Sequence, residues 1–320
     1  MIMKKIHYIL LCLVCMLAMS CTHNSNIYHD AEYVMFADTV AVYPVQKDVE
    51  YFKVPVVSTV KCSYDRTFGV EVIDAMSNAT ENLHYRLKSN TITIPAGENR
   101  ADVLVQGLYE NLDPADSLGF CLSLVMPDEL EMPGIGRLGK VVLRKACPLD
   151  INDFTGWCVL SSTWLQSYNP YGSYNRLIRT SAHPEKPNTI ICHNWMLRGY
   201  DVEIELNNDE NDVLNTLVTV PEGQSMSDEG SFFGMAHGDD RIRIKTSSRY
   251  NSYYYPCGKY LFVWTEMYVK DLNAIVGTVG HFYNVMEWIS TEEARRLKRE
   301  GMAGDDDNEL DPYHDSKDNK

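Results

Sequence analysis

Two segments, Asp201-Val202-Glu203-Ile204-Glu205-Leu206 and Arg241-Ile242-Arg243-Ile244-Lys245, alternate charged and apolar side chains without interruption. An extended strand turns successive side chains to opposite faces, whereas a helix repeats every ~3.6 residues. The pattern therefore fits only a strand with one buried and one wet face. Short apolar or alternating runs recur at residues 33–36, 51–57, 68–73, 91–94, 103–106, 120–125 and 141–143. Turn formers such as Pro95-Ala96-Gly97 and Pro133-Gly134 separate them. Short strands without a convincing helix predict a β-sandwich over residues 31–146.

A second series covers residues 154–290, with runs at 157–165, 175–180, 189–193, 201–206, 216–220, 241–245, 260–268 and 274–285. Antiparallel strands joined to their neighbours predict either a β-barrel, lipocalin-like or partly open, or a second β-sandwich. The expected fold class is all-β. Residues 147–153, beginning Cys147-Pro148, read as a wet linker between the two domains. Ser290-Thr291-Glu292-Glu293 forms a capping box, with Ser290 accepting from the Glu293 amide and Glu293 reaching back. It opens a short helix over residues 291–301, stopped at Gly301. Residues 302–320 are acidic and nearly devoid of apolar side chains, which predicts a disordered tail.

Charge excludes one class of partner. The chain carries 29 Lys and Arg against 44 Asp and Glu, a net charge of -15. A polyanion is repelled by such a field, and no basic run interrupts it, so nucleic acid is not an expected partner.

At the start, Lys4 and Lys5 precede an apolar run from Ile6 to Met19 and the small-residue stretch Leu17-Ala18-Met19-Ser20-Cys21. Basic start, apolar middle and small-residue end make an export signal, and the run is short for a membrane span. Its last residues resemble the lipobox of bacterial lipoproteins, although Ala18 stands where leucine is usual. That resemblance implies removal of residues 1–20 and lipid attachment at Cys21. Residues 21–30 would then be a tether holding the protein at the outer membrane, facing the periplasm or the cell surface.

Of nine cysteines, Cys12 and Cys15 fall within the signal and Cys21 at its end. Cys62, Cys121, Cys147, Cys158, Cys192 and Cys257 remain, at spacings that match no metal-ligand pattern. Export permits disulfides, while the apolar settings of Cys121, Cys158 and Cys192 suit buried thiols equally well. Pairing stays open.

His84-Tyr85, Asn90-Thr91-Ile92-Thr93-Ile94-Pro95-Ala96-Gly97 and Phe120-Cys121-Leu122-Ser123-Leu124 succeed one another in the order seen in Calx-beta-type domains. Residues 31–146 resemble that family, which implies an Ig-like sandwich. Some of its members bind calcium through loop carboxylates, and Asp113, Asp116, Asp128, Glu129 and Glu131 are near. A calcium ion needs about six to eight converging oxygens, and these acids are scattered over two loops, so no metal is assigned. With the Asp153-Phe154-Thr155-Gly156-Trp157 entry to the second half, the chain resembles uncharacterised two-domain lipoproteins of the Bacteroidetes cell envelope, with a Calx-beta-like sandwich before a β-rich domain of unknown function. Proteins of similar architecture accompany glycan-uptake systems. The resemblance implies a polysaccharide or an envelope protein as ligand.

Catalytic motifs are absent. There is no G-x-S-x-G turn, no phosphate-binding glycine loop and no H-E-x-x-H helix, and no cofactor pattern. His183, His193, His237 and His281 are spaced too widely to announce a zinc site. The protein is accordingly expected not to be an enzyme. Aromatic residues carry the functional expectation instead. Tyr168, Tyr171 and Tyr174 lie in a Gly/Pro/Asn-rich stretch, and Arg249, Tyr250, Tyr253, Tyr254 and Tyr255 form a second group that reads as a loop. Exposed rigid rings beside Arg, Asn and Ser stack on sugars while bonding their hydroxyls. Trp157, Trp164, Trp195, Trp264 and Trp288 read as core. The expected function is a glycan- or protein-binding accessory of an envelope uptake system. The alternatives are a structural lipoprotein docking on another envelope protein and a hydrolase with two facing acids.

Overall fold

The computed structural model describes residues 32–131, 136–168, 173–209, 211–271 and 276–304. The predicted signal, Cys21 and residues 305–320 lie outside the described residues. The described chain divides into two compact units, one of residues up to 43 with 50–108 and 118–142, the other of 44–49, 109–117 and 143 onward.

The first nine strands are β1 (Val34–Phe36), β2 (Val40–Val45), β3 (Phe52–Ser58), β4 (Arg66–Val72), β5 (Tyr85–Leu87), β6 (Thr91–Ile94), β7 (Arg100–Gly107), β8 (Leu118–Val125) and β9 (Leu138–Lys145). They form a four-stranded sheet, β1-β3-β7-β5, and a five-stranded sheet, β2-β9-β8-β4-β6. This is the sandwich expected from the alternation. Tyr43 of β2 stacks on Phe52 of β3 with centroids 4.6 Å apart, and Tyr85 of β5 on Phe120 of β8 at 3.7 Å. Each pair joins one sheet to the other and fills the core with large rings. All seven predicted runs are strands. β2 and β5 were not predicted: Pro44 interrupts the apolar reading of one, and the other is three residues long.

The second unit continues with β10 (Gly156–Ser162), α1 (Thr163–Tyr168), β11 (Asn175–Ala182), β12 (Thr189–His193), β13 (Val202–Leu206), β14 (Val218–Thr219), β15 (Gln224–Ser227), α2 (Glu229–Phe233), β16 (Ile242–Thr246), β17 (Tyr253–Tyr255), β18 (Tyr260–Lys270), β19 (Val276–Ile289), α3 (Thr291–Arg299) and β20 (Ala303–Gly304). One curled sheet runs β14-β13-β12-β11-β10-β19-β18-β16-β15, with β17 paired to β18 and β20 to β11. Its ends meet. Leu217 bridges Tyr253, and the Tyr254 amide donates to the Thr216 carbonyl at 2.9 Å, carrying β14 onto β17. The Gln224 side chain accepts from the Glu203 amide and donates to the Glu203 carbonyl, replacing a strand pair with one amide group. The barrel alternative is therefore the observed one.

Inward residues of the alternating strands, among them Ile178, Cys192, Val202, Ile204, Ile242, Ile244, Leu261, Val263 and Met286, fill the barrel together with Trp164, Trp195 and Met196. A buried polar knot lies among them. Asn284 accepts from the Ser162 hydroxyl at 2.6 Å and donates to the Val263 carbonyl and Thr265 Oγ1. Satisfied polar groups of this kind specify register as well as burying surface. The interior is thus a packed core in this barrel, which directs the search for a site to its outer face.

Four expectations are corrected. The run 157–165 ends as a strand at Ser162, and Trp164 and Leu165 reach the core from α1. The segment 147–153 is not a free linker. Cys147 is bonded to Cys257, Asp153 pairs with Lys259 at 2.6 Å, and the turn that follows buries Phe154 completely. The cap of α3 is as expected, Ser290 Oγ accepting from the Glu293 amide at 3.1 Å, but the Glu293 carboxylate engages Arg296 instead of reaching back. Ala303 and Gly304 pair with β11, so the predicted tail begins as a strand.

Candidate functional site

On β18 the residues Tyr260, Phe262 and Trp264 alternate with Leu261, Val263 and Thr265. The second set is buried in the barrel, and the first faces outward, half-exposed. Every second position on one strand is therefore a ring, and Tyr260 to Trp264 spans about 13 Å at ~3.3 Å per residue. The ladder extends the face sideways: Tyr255 lies opposite Tyr260, Tyr253 opposite Phe262, and Tyr283 of β19 opposite Trp264.

The rings form one continuous ribbon. Centroids are 4.9 Å apart from Tyr255 to Tyr260, 5.0 Å to Phe262, 5.8 Å to Tyr283, 5.1 Å to Trp264 and 4.3 Å to Tyr250. Tyr250, at one end of the ribbon, is 48% exposed and Tyr253, on its flank, 45%, while Tyr255, Tyr260, Phe262, Trp264 and Tyr283 are half-buried. Burial pushes the Tyr255 and Tyr283 phenols up, so both keep their protons at neutral pH and can donate.

Serines hold the ribbon's far end. Ser247 Oγ accepts from the amides of Arg249 and Tyr250 and shares a hydrogen bond with His281 Nδ1 at 2.9 Å, while Ser252 Oγ accepts from the Trp264 amide at 2.9 Å. These bonds fold the Ser247–Ser252 turn back over β18 and set Tyr250 on Trp264. At the near end, the turn into β18 contains Gly258, where a Cβ would lie 2.5 Å from the Tyr260 ring and 2.7 Å from the Tyr255 ring. Only glycine permits that approach. Cys257, immediately before it, carries the disulfide that anchors this turn.

The predicted residues divide. Arg249, Tyr250, Tyr253 and Tyr255 sit on or beside the ribbon. Tyr254 does not: alternation within β17 turns it inward, 5% exposed, with its hydroxyl donating to the Asn207 carbonyl at 2.6 Å and its ring edge on Phe154. The second aromatic group is thus largely a strand, not a loop. Tyr168 is also a core residue, its ring 4.4 Å from Trp164 and 5.6 Å from Phe233. Tyr174 is 60% exposed, but no ring contact joins it to the ribbon, and Tyr171 lies outside the described residues. Trp264 corrects the reading of the tryptophans as core, whereas Trp157, Trp164 and Trp195 are buried as expected. Tyr260, Phe262 and Tyr283 were missed, although the two-residue spacing of aromatics in 260–264 was a usable signal.

Several of the acids and histidines weighed as metal ligands have local partners. Asp113 Oδ1 accepts from the Ala115 amide and Glu131 pairs with Arg137. His183 Nδ1 accepts from the amides of Glu185 and Lys186, and His237 bonds Glu229. No group of three or more His, Cys, Asp or Glu able to hold a metal occurs among the described residues.

A family model described as a domain of unknown function, DUF4984, matches residues 135–300. The chain belongs to this family. No curated protein matches it. Among solved structures, the apo form of the Calx CBD1 domain aligns at 14% identity over 36% of this chain and 98% of its own, with a TM-score of 0.28. A Bacteroides ovatus protein of unknown function aligns at 9% identity over 80% of this chain and 94% of its own, TM-score 0.31. An auxiliary nutrient binding protein of Bacteroides thetaiotaomicron aligns at 14% identity over 78% and 89%, TM-score 0.29.

Proposed function

We propose that this DUF4984 protein is an envelope lipoprotein, anchored through Cys21, whose barrel binds a glycan on the aromatic ribbon of its outer face. The observation that carries the reading is the unbroken run of six rings, Tyr255, Tyr260, Phe262, Tyr283, Trp264 and Tyr250, left half-exposed on a sheet. Rings in water attract the apolar faces of pyranoses, and the neighbouring tyrosine hydroxyls, Arg249 and Asn251 supply hydrogen bonds at little cost in side-chain entropy. Such a surface holds a ligand and performs no chemistry on it. The Cys147–Cys257 bond supports an exported protein, since disulfides persist in oxidising compartments.

The test is retardation in native gels containing single polysaccharides, run with the wild type, Trp264→Ala and Tyr253→Ala. Loss of one stacking ring should cost about 1–1.5 kcal/mol, roughly a tenfold weaker affinity. Absence of retardation by every neutral polysaccharide, or equal retardation of Trp264→Ala, defeats the glycan reading. Capture of an envelope protein by the same face would instead support a docking role.

A further inference from the structure

Away from the ribbon, the register of β11, β12 and β13 brings together three residues that no sequence motif connects. Thr180 of β11 pairs with Cys192 of β12, and Cys192 with Val202 of β13; all three are buried. Their sequence neighbours Ser181, His193 and Asp201 therefore share the opposite, outer face. Ser181 Oγ lies 2.8 Å from His193 Nε2, and His193 Nδ1 lies 3.0 Å from Asp201 Oδ2. The Asp201 carboxylate is itself held, its Oδ1 accepting from the Asn194 amide at 2.9 Å. Asn194 has φ 52°, and its side chain accepts from the Gly199 amide at 2.7 Å, which closes the turn between β12 and β13.

This order of groups has a chemical consequence. A carboxylate on Nδ1 draws the imidazole proton to that nitrogen and leaves the Nε2 lone pair facing the serine hydroxyl. The side chains of His193 and Asp201 are 33% and 51% exposed, so a small molecule reaches the group from solvent. Arg179, two residues before Ser181 on β11 and opposite His193 in the ladder, sets a positive charge on the same face.

We propose that Ser181, His193 and Asp201 form a nucleophilic site that accepts acyl groups from small esters. Ser181 Oγ attacks the ester carbonyl carbon while its proton passes to His193 Nε2. The bond from that carbon to the alcohol oxygen breaks, and the alcohol leaves with the proton from His193. The acyl group remains as an ester on Ser181. Water, giving a proton to His193, then attacks the carbonyl and releases the carboxylic acid, and Ser181 regains its proton. Ser181 and His193 touch the reacting atoms, whereas Asp201 is a positioning residue. The site is independent of the aromatic ribbon and stands or falls apart from it.

The experiment treats the full chain with a biotinylated fluorophosphonate and, separately, with 4-nitrophenyl acetate, and locates the adduct by peptide mass. One adduct per chain on Ser181 is expected, absent in Ser181→Ala and formed at least tenfold more slowly in His193→Gln. Asp201→Asn should slow acylation and displace its pH profile, a change that a merely structural brace would not cause. Circular dichroism confirms that each variant is folded, and the position of the adduct in the wild type decides the question if a variant is not. No adduct on Ser181, or an undiminished rate in His193→Gln, overturns the proposal.

Discussion

Replacing both Cys147 and Cys257 by serine should lower the stability of the second unit by several kcal/mol. The bond joins positions 110 residues apart. In the chain-entropy account, closing a loop of that length removes about 16 cal/mol/K from the unfolded ensemble, or roughly 5 kcal/mol at 25 °C. Real unfolded chains are already compact, so a loss of about 3–5 kcal/mol is expected, a large part of the ~5–15 kcal/mol that holds a typical domain. In the folded state the segment keeps the Asp153–Lys259 pair and the buried Phe154, so the native fold should survive. Urea unfolding followed by tryptophan fluorescence measures the effect, with a midpoint shift of about 1–2 M if the slope is ~3 kcal/mol/M. Thiol titration in denaturant without reductant should leave Cys147 and Cys257 unreactive while Cys62, Cys121, Cys158 and Cys192 react. Reactive thiols at Cys147 and Cys257, or an unchanged midpoint in the double variant, would refute the reasoning. A smaller effect on glycan affinity should accompany the change, because Cys257 lies in the turn that joins Tyr255 to Tyr260.

Tyr254 separates core from site. Tyr254→Phe removes only the bond to the Asn207 carbonyl and should cost about 1–2 kcal/mol in urea unfolding, while Tyr254→Ala should cost about 3–5 kcal/mol and leave affinity measurements uninterpretable. A triple alanine variant of Tyr253, Tyr254 and Tyr255 would therefore confuse unfolding with loss of binding. Glu266 gives a pH dependence. Burial alone raises its pKa, but the Ser248 hydroxyl, the Lys245 ammonium and the Thr278 hydroxyl together outweigh burial and hold the carboxyl below the usual glutamate range. A depressed folded-state value contributes stability above the unfolded-state value of about 4.3, and that contribution is lost as pH falls through the lower folded-state value. Glu266→Gln should consequently lower stability at pH 7 and flatten its decline in acid, as read from thermal unfolding across pH; an unchanged acid limb would count against the assignment.

What could be read from sequence was what depends on neighbours along the chain. The alternation of residues 201–206 and 241–245 gave strands with the correct buried face, and Ser290 with Glu293 gave a helix start, because period and capping act within a few residues. Tyr253-Tyr254-Tyr255 was legible only as a cluster. Asn251, Ser252 and Pro256 around it favour a turn, and it becomes a strand through pairing with β18 and the Leu217 bridge, which are tertiary facts. The bond between Cys147 and Cys257 is hidden for the same reason: apolar settings mark Cys121, Cys158 and Cys192 as suited to buried thiols, but nothing local says which of Cys62, Cys147 and Cys257 meet in space.

The two sites proposed for the second unit differ in how far they exceed local information. In residues 260–264 the spacing of the aromatics already assigns them to one face, and sequence leaves open only whether that face is core or surface; barrel closure decides it by giving the aliphatic set the interior. For Ser181, His193 and Asp201 the sequence assigns a wet face only to Asp201, through the alternation of 201–206; Ser181 lies past the predicted run 175–180, and His193 ends a run that does not alternate. Their conjunction depends on register: moving β12 by one residue against β11 would turn His193 into the core and bring Cys192 to the surface. The buried partners Thr180, Cys192 and Val202 therefore specify the outer cluster as firmly as its own hydrogen bonds do. Any substitution that shifts this inner row should disturb the outer site without touching it.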